Sequence, residues 1–198
     1  MSRLSAKPAA TTHPSTGGED QHRNAPPVAE ASRRQRLTGH IRVALPPDQA
    51  FRLFTPRGEE EWATGWKPRF PVPAPDDTRP GTVFETDAHG QRTVWLVVDR
   101  SEGRRISYAR VTPGERAGTV TVVIDAVGQH GEESDVEVTY DLTALSDATD
   151  GDLADFADGY AAYLRSWQNA IAARLRAEPS PHRHPSHHDG RWPAQTSR

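Results

Sequence analysis

The chain has 198 residues, of which 34 % are hydrophobic, with no cysteine and a formal net charge of −3 at pH 7. The absence of cysteine excludes disulfides, thiol catalysis and cysteine zinc sites. A net charge this small provides no general field that would attract nucleic acid or an anionic membrane.

The hydrophobic content is low for a folded chain of this length, and the deficit lies at the two ends. We expect residues 1–35, rich in Ala, Pro, Thr, Ser and Gly, and the His- and Pro-rich residues 177–198 to be disordered tails. Residues 36–176 have the composition of one folded domain. No apolar run is long enough for a membrane span, and the N-terminus lacks an apolar signal segment. We therefore expect a cytoplasmic protein without an integral membrane segment.

A first strand is predicted over Leu37–Ala44 from alternating apolar and polar residues. Ile41 and Val43 lie on one face of this strand, and His40 and Arg42 lie on the other. The strand is expected to pack its apolar face on the core.

Two short helices are predicted after this strand. Asp48–Phe54 has apolar residues at helical spacing. Thr55 is a good N-cap and Pro56 suits a first helical position, so a second helix is expected over residues 56–63. Gly65 follows where a glycine would end it.

The second helix contains three consecutive glutamates and precedes two tryptophans. Glu59, Glu60 and Glu61 point in directions about 100° apart on a helix, so they form no convergent acid–base cluster. At most one of them could face a pocket mouth, and Glu59 suits the N-terminal end of its helix, so we expect them to be solvated. Trp62 is expected to pack on the core, and Trp66 is expected to border a pocket mouth.

Five strand-like runs follow, separated by short connectors that contain glycine, and they predict an antiparallel meander. The runs are Thr82–Asp87, Thr93–Asp99, Arg105–Val111, Thr119–Ala126 and Asp135–Leu142. In the last run, Val136, Val138, Tyr140 and Leu142 lie on one face and polar residues on the other. One face of the sheet is thus expected to be solvated.

A long amphipathic helix is predicted over Asp152–Arg176, about 37 Å in length. Its apolar residues recur at spacings of three or four, and acidic residues near the start and arginines near the end suit the helix dipole. The stripe consists of Leu153, Phe156, Tyr160, Tyr163, Trp167, Ile171 and Leu175.

The order of these elements, with VALPPDQAFRLF near the front and LADFADGYAAYLRSWQNAIAARL at the end, resembles the START-like (SRPBCC) superfamily over residues 36–176. This superfamily includes polyketide cyclase/dehydrase and Bet v 1-like proteins. The resemblance implies an α+β helix-grip fold, in which a curved antiparallel sheet of about six to seven strands surrounds a long C-terminal helix and two short helices follow the first strand. It also implies a deep, mostly apolar pocket, but it implies no single chemistry.

If that pocket is present, aromatic side chains of the strands, the C-terminal helix and the tryptophan segment are expected to line it. Arg110 shares the face of Tyr108 and would meet a ligand carboxylate if that face points inward. The opposite phase of the strand would bury Ser107, Ala109 and Val111 instead. The candidate ligand-binding residues are Trp62, Trp66, Phe84, Trp95, Tyr108, Arg110, Tyr140, Phe156, Tyr160 and Tyr163.

No catalytic residue, metal site or cofactor is predicted. His89 and His130 lie in predicted turns, and the histidines of the C-terminal tract (His182, His184, His187 and His188) lie in a proline-broken segment without preorganised ligands. The chain has no Gly-rich phosphate loop, HExxH or GxSxG motif. Its basic residues form no stripe with aromatic residues, so no nucleic-acid partner is expected.

The function favoured by these patterns is binding of a small hydrophobic or amphipathic ligand (a lipid, an isoprenoid or an aromatic polyketide-like molecule) between the sheet and the C-terminal helix. One alternative is a polyketide cyclase, dehydratase or aromatase, in which Tyr108, Arg110 and Tyr140 would orient carbonyls and stabilise an enolate. A second is a regulatory interaction domain of the chaperone-ATPase-activator type, with a filled interior. The sequence is compatible with a monomer or a homodimer.

Overall fold

The structure of the protein, a computed structural model, describes residues 33–88 and 90–177. His89 and the C-terminal histidine tract lie outside these residues, as does most of both predicted tails. Within them, no helix is both long enough and apolar enough to span a membrane.

Six antiparallel strands form one sheet in the order β1-β6-β5-β4-β3-β2, and a long helix ends the described chain. This arrangement confirms the predicted α+β helix-grip fold, and the predicted strands are all present. β1 begins three residues before its predicted start. The elements are β1 (Arg34–Val43), α1 (Pro47–Arg52), a 3₁₀ helix (Gly58–Glu61), β2 (Val83–Ala88), β3 (Gln91–Ser101), β4 (Arg105–Thr112), β5 (Arg116–Val127), β6 (Glu133–Ala144), a 3₁₀ helix (Asp147–Thr149) and α2 (Asp150–Ala177).

The two faces of the sheet differ as the alternation predicts. In β6 the four residues Val136, Val138, Tyr140 and Leu142 are all buried. On the outer face of β1, His40 Nδ1 lies 2.9 Å from a carboxylate oxygen of Asp135 on β6. Cross-strand polar pairs of this kind are typical of a solvated sheet face.

Helix α2 packs closely on β1 because β1 has a glycine where the helix crosses. A Cβ atom added to Gly39 would lie 2.5 Å from Cδ1 of Leu164. Leu164, which the predicted stripe did not include, is buried together with Leu153, Tyr160 and Ile171. The helix therefore rests directly on this strand of the sheet.

The predicted second short helix is present but shorter than residues 56–63, since it is the 3₁₀ helix Gly58–Glu61. Thr55 Oγ1 accepts a hydrogen bond from the N–H of Gly58 at 3.0 Å. The indole of Trp62 donates to the carbonyl oxygen of Leu53 at 2.7 Å. The indole bond ties the residue after the 3₁₀ helix to the residue that follows α1.

Two glycines give opposite predictions for substitution by alanine. A Cβ at Gly58 would lie 1.7 Å from the backbone oxygen of Arg52, whereas a Cβ at Gly159 on α2 meets nothing within 4 Å. Gly58→Ala is expected to lower the free energy of unfolding by about 1–3 kcal/mol through steric overlap. Gly159→Ala is expected to raise it by about 1 kcal/mol through helix propensity. Urea unfolding measures both, and an unchanged midpoint for Gly58→Ala would contradict the described close approach.

Candidate functional site

A cavity of about 650 Å³ lies between the inner face of the sheet and α2. The segment after α1 closes one side of it. Exposed lining residues at Thr64, Gly65, Asp87 and Ser166 mark its mouth. The full lining is Glu59, Trp62, Ala63, Thr64, Gly65, Trp66, Phe84, Thr86, Asp87, Thr93, Trp95, Tyr108, Arg110, Val120, Val122, Tyr140, Tyr163, Ser166, Trp167 and Ala170.

Two of the ten candidate ligand-binding residues, Phe156 and Tyr160, lie outside the cavity lining. Both pack against Tyr140, with ring centroids 5.5 and 5.9 Å from its ring. The hydroxyl of Tyr160 donates to the carbonyl oxygen of Val138 at 2.8 Å. The N-terminal half of α2, which carries these two residues, packs directly on the sheet. No space for a ligand remains between them. The other eight line the cavity: Trp62, Trp66, Phe84, Trp95, Tyr108, Arg110, Tyr140 and Tyr163.

One wall of the cavity consists of aromatic rings in mutual contact. Phe84 and Trp95 are stacked at 5.8 Å with an interplanar angle of 2°. Trp66 meets Trp95 edge-on at 5.4 Å. On another side, Trp62 meets Trp167 of α2 edge-on at 5.2 Å. Such edge-on and stacked pairs stabilise one another and keep the wall in a fixed shape.

The indole N–H groups of this wall are already hydrogen-bonded within the protein. Trp62 bonds to the backbone of Leu53, as described above. Trp66 Nε1 donates to the carbonyl oxygen of Pro56 at 2.7 Å, and Trp95 Nε1 donates to Thr86 Oγ1 at 3.0 Å. With their polar atoms satisfied, the three indoles offer a ligand mainly apolar ring surface.

Three tyrosines contribute hydroxyl groups that also have partners. Tyr108 donates to the carbonyl oxygen of Phe54 at 2.9 Å. The hydroxyls of Tyr140 and Tyr163 lie 3.4 Å apart. Burial raises the pKa of each of the three above the ordinary value of 10. The hydroxyls therefore remain protonated at neutral pH.

Arg110 points into the cavity together with Tyr108, which decides between the two phases that the sequence left open. Its guanidinium lies over the ring of Trp95, with Cζ 4.8 Å from the centroid. Its Nη2 donates to Thr112 Oγ1 at 3.1 Å. Its Nε is buried and has no hydrogen-bond partner among residues 33–88 and 90–177. Burial lowers the pKa of Arg110, yet a guanidinium stays charged at neutral pH.

Glu59 is buried, so the prediction that all three glutamates are solvated is wrong for this residue. It is 9 % exposed, whereas Glu60 and Glu61 are exposed. Residues three apart lie on the same side of a 3₁₀ helix. Glu59 therefore shares the side of Trp62, and the predicted burial of Trp62 was the signal in the sequence that could have identified it.

No hydrogen bond or ion pair to the Glu59 carboxyl is found within the described part of the chain. Burial raises its pKa well above the ordinary 4.5. The cavity lining also includes Asp87 at the mouth. Its carboxylate forms an ion pair with Arg69, with Nη2 of the arginine 2.8 Å from Oδ2. With Glu59 protonated, Arg110 is the charged lining residue without a counter-ion.

A pH-dependent stability difference is expected from Glu59. In the unfolded chain its carboxyl titrates near 4.5, and in the folded protein it holds its proton to higher pH. Below pH 4.5 it is protonated in both states. As pH rises towards the folded pKa, the unfolded state loses its proton first, and stability relative to a non-titrating residue decreases. Glu59→Gln should therefore be more stable than wild type at pH 7, and each tenfold difference in proton affinity contributes about 1.4 kcal/mol.

Chemical unfolding from pH 4 to pH 8 measures this difference, with Glu60→Gln as the control on an exposed neighbour. The stability gain of Glu59→Gln should shrink towards pH 4, while Glu60→Gln follows wild type throughout. Parallel pH profiles for wild type and Glu59→Gln would show that the carboxyl is not desolvated.

Solved structures with a similar fold include CalU16 from Micromonospora echinospora, with 17 % sequence identity and a TM-score of 0.53 over 75 % of this chain and 78 % of that chain. Mll3558 from Rhizobium loti is 20 % identical, with a TM-score of 0.53 over 72 % and 97 % of the two chains. The Aha1 dimer from Colwellia psychrerythraea is 14 % identical, with a TM-score of 0.50 over 69 % and 96 %. At these identities the likeness shows a common fold only.

Comparison with curated proteins gave no match. A family model described as "Polyketide cyclase / dehydrase and lipid transport" matches residues 34–177, which is the region from the start of β1 to the end of α2. The match covers well over half of the chain and agrees with the sheet, helix and cavity described above. The chain belongs to the polyketide cyclase / dehydrase and lipid transport family.

Proposed function

We propose that the protein binds a small hydrophobic or amphipathic ligand in the cavity between the sheet and α2. The observation that supports this most is an aromatic-walled cavity of about 650 Å³, within the range typical of small-molecule sites. The family description, which includes lipid transport, agrees with a carrier or binding role.

The wall favours a ligand with a flat, unsaturated body. Phe84 and Trp95 stack in parallel, and Trp66 meets them edge-on. Flat ring systems continue such packing through offset-stacked and edge-to-face contacts, which contribute beyond simple burial of area. An aromatic or polyene ligand therefore fits this surface better than a flexible saturated chain of the same volume.

A second candidate function is a cyclase, dehydratase or aromatase reaction on the bound ligand. It is favoured by one observation, namely that Tyr108, Arg110 and Tyr140 all line the same cavity. Tyr108 donates its hydroxyl proton to the backbone, and the Tyr140–Tyr163 pair uses one of its two hydroxyl protons. The buried Nε–H of Arg110 has no acceptor among the described residues and is available to stabilise an enolate oxygen. The third hypothesis, a regulatory interaction domain, requires a filled interior, and a cavity of this size does not support it.

Filling the cavity from α2 tests the proposed function. Ala170 lines the cavity, while Ala162 lies on the same helix and is exposed outside it. Ala170→Phe is expected to weaken binding of the neutral fluorescent probe N-phenyl-1-naphthylamine by about tenfold or more, because the new ring takes up volume that the probe needs. Ala162→Phe should bind as wild type does.

Fluorescence titration of the probe, with thermal unfolding to confirm that both variants are folded, measures this effect. Equal probe affinity in wild type and Ala170→Phe would place any binding elsewhere and overturn the proposal. Absence of binding to the wild-type protein would count against it as well.

A further inference from the structure

The cavity combines two polar groups that folded proteins usually pair or hydrogen-bond, a guanidinium on β4 and a carboxyl on the 3₁₀ helix Gly58–Glu61. We propose that the cavity selects a flat monoanionic ligand, whose carboxylate or equivalent anionic oxygens bind Arg110, and that Glu59 must carry its proton for this ligand to bind. The proposal rests on the proposed ligand-binding function and names the chemical class of the ligand.

Arg110 is arranged to receive an anion. The contact with Trp95 and the bond to Thr112 hold the guanidinium in place, and the buried Nε–H is left without an acceptor among the described residues. A carboxylate binds the edge of a guanidinium through two parallel hydrogen bonds. Because a buried donor without a partner is unfavourable, an acceptor that reaches Nε gains more here than at the protein surface.

The charge balance of the cavity also favours an anion. Arg110 forms no ion pair with any carboxylate in residues 33–88 or 90–177, and the charges of Glu115 and Arg116 act on it in opposite directions. Asp87, the acidic lining residue at the mouth, is paired with Arg69. A monoanion at Arg110 would neutralise the cavity, whereas a neutral ligand leaves a desolvated cation unbalanced.

Glu59 lies close enough to affect the same ligand without touching Arg110. Its charge acts on Tyr108, Tyr140 and Tyr163, three residues that line the cavity with it. Tyr108 and Arg110 are two residues apart on β4, about 7 Å along the strand. An ionised Glu59 would therefore add a second negative charge beside the ligand in a medium that screens charges poorly.

The titratable and charged groups around Glu59 keep the same charge over the pH range of interest. The carboxyl of Glu59 is therefore the group whose charge changes. The tyrosines on β4, β6 and α2 have pKa values raised by burial and stay neutral. Arg110 stays charged. Asp77, whose charge also acts on Tyr108, lies 3.8 Å from Arg57 in an ion pair. These groups are Tyr108, Arg110, Tyr140, Tyr163, Asp77 and Asp87.

Binding of an anion should accordingly be linked to proton uptake. The bound negative charge favours the neutral form of Glu59 and raises its pKa further. At pH values where free Glu59 is partly ionised, binding takes up a proton, and affinity for the anion decreases as pH rises through the Glu59 pKa of the free protein. A neutral ligand of the same shape should show a weaker dependence on pH.

The experiment compares two flat probes, 2-naphthoate and its neutral counterpart 2-naphthamide, by calorimetric titration of the full chain from pH 5.5 to pH 8.5. Wild type is expected to bind 2-naphthoate about tenfold or more tightly than 2-naphthamide at the low end of this range. Arg110→Met, which keeps an unbranched side chain but no charge, should lose this preference.

Titration of 2-naphthoate in two buffers with different protonation enthalpies measures the protons taken up. Wild type should show net uptake approaching one proton per ligand where Glu59 is ionised, and Glu59→Gln should show none and a flat pH profile. Glu60→Gln should follow wild type. A purely structural role of Glu59 would change affinity without changing proton uptake.

Equal affinity for 2-naphthoate and 2-naphthamide would overturn the proposed anion selectivity. The selectivity would also be overturned if 2-naphthoate fails to bind while N-phenyl-1-naphthylamine binds and Ala170→Phe weakens that binding. In both cases the proposed binding function stands. If none of the three probes binds, that function fails too. Proton uptake retained in Glu59→Gln would overturn the role of Glu59. If Arg110→Met does not fold, the preference and proton uptake of wild type decide the question.

Discussion

The close contact between α2 and β1 is the constraint on which the cavity depends. Gly39 has no side chain, and Leu164 occupies the space that a Cβ atom would need. The helix is thereby held against β1, at one edge of the sheet, while β2 forms the opposite edge. Between α2 and the inner face of the strands β2 to β6, the space is filled only in part by aromatic rings, and the remainder is the cavity.

The segment that follows α1 completes the enclosure through hydrogen bonds from two indoles. Trp62 and Trp66 each donate to a backbone carbonyl of residues 53–56, so the segment folds back on itself. The same two rings contact α2 through Trp167 and the sheet through Trp95. One short stretch thus links helix and sheet on either side of the opening, and its turn brings Glu59 to the inner side.

Much of the fold can be predicted from the spacing of apolar residues. They alternate along β6 and recur every three or four residues along α2. Which residues line the cavity could be predicted from such spacing only in part. Tyr108 and Arg110 share a face by spacing alone, but whether that face is inward depends on how β4 pairs with β3 and β5. Phe156 and Tyr160 belong to the same helical stripe as Tyr163, and only the height of α2 above the sheet separates those packed on it from those beside the cavity.

Glu59 shows where local interpretation of a sequence fails and why. Three adjacent glutamates indicate a solvated surface, because isolated carboxylates are rarely buried. Here the 3₁₀ geometry places Glu59 on the same side as Trp62, where both line the cavity. A carboxyl in that position avoids most of the desolvation cost by holding its proton. Arg110, in the same cavity, contacts Trp95 and Thr112 and forms no internal ion pair with Glu59. A protein selected only for stability would pair them or replace them with apolar residues. A buried carboxyl and a guanidinium with an unpartnered Nε, maintained in one aromatic cavity, are the kind of local conflict that functional sites retain.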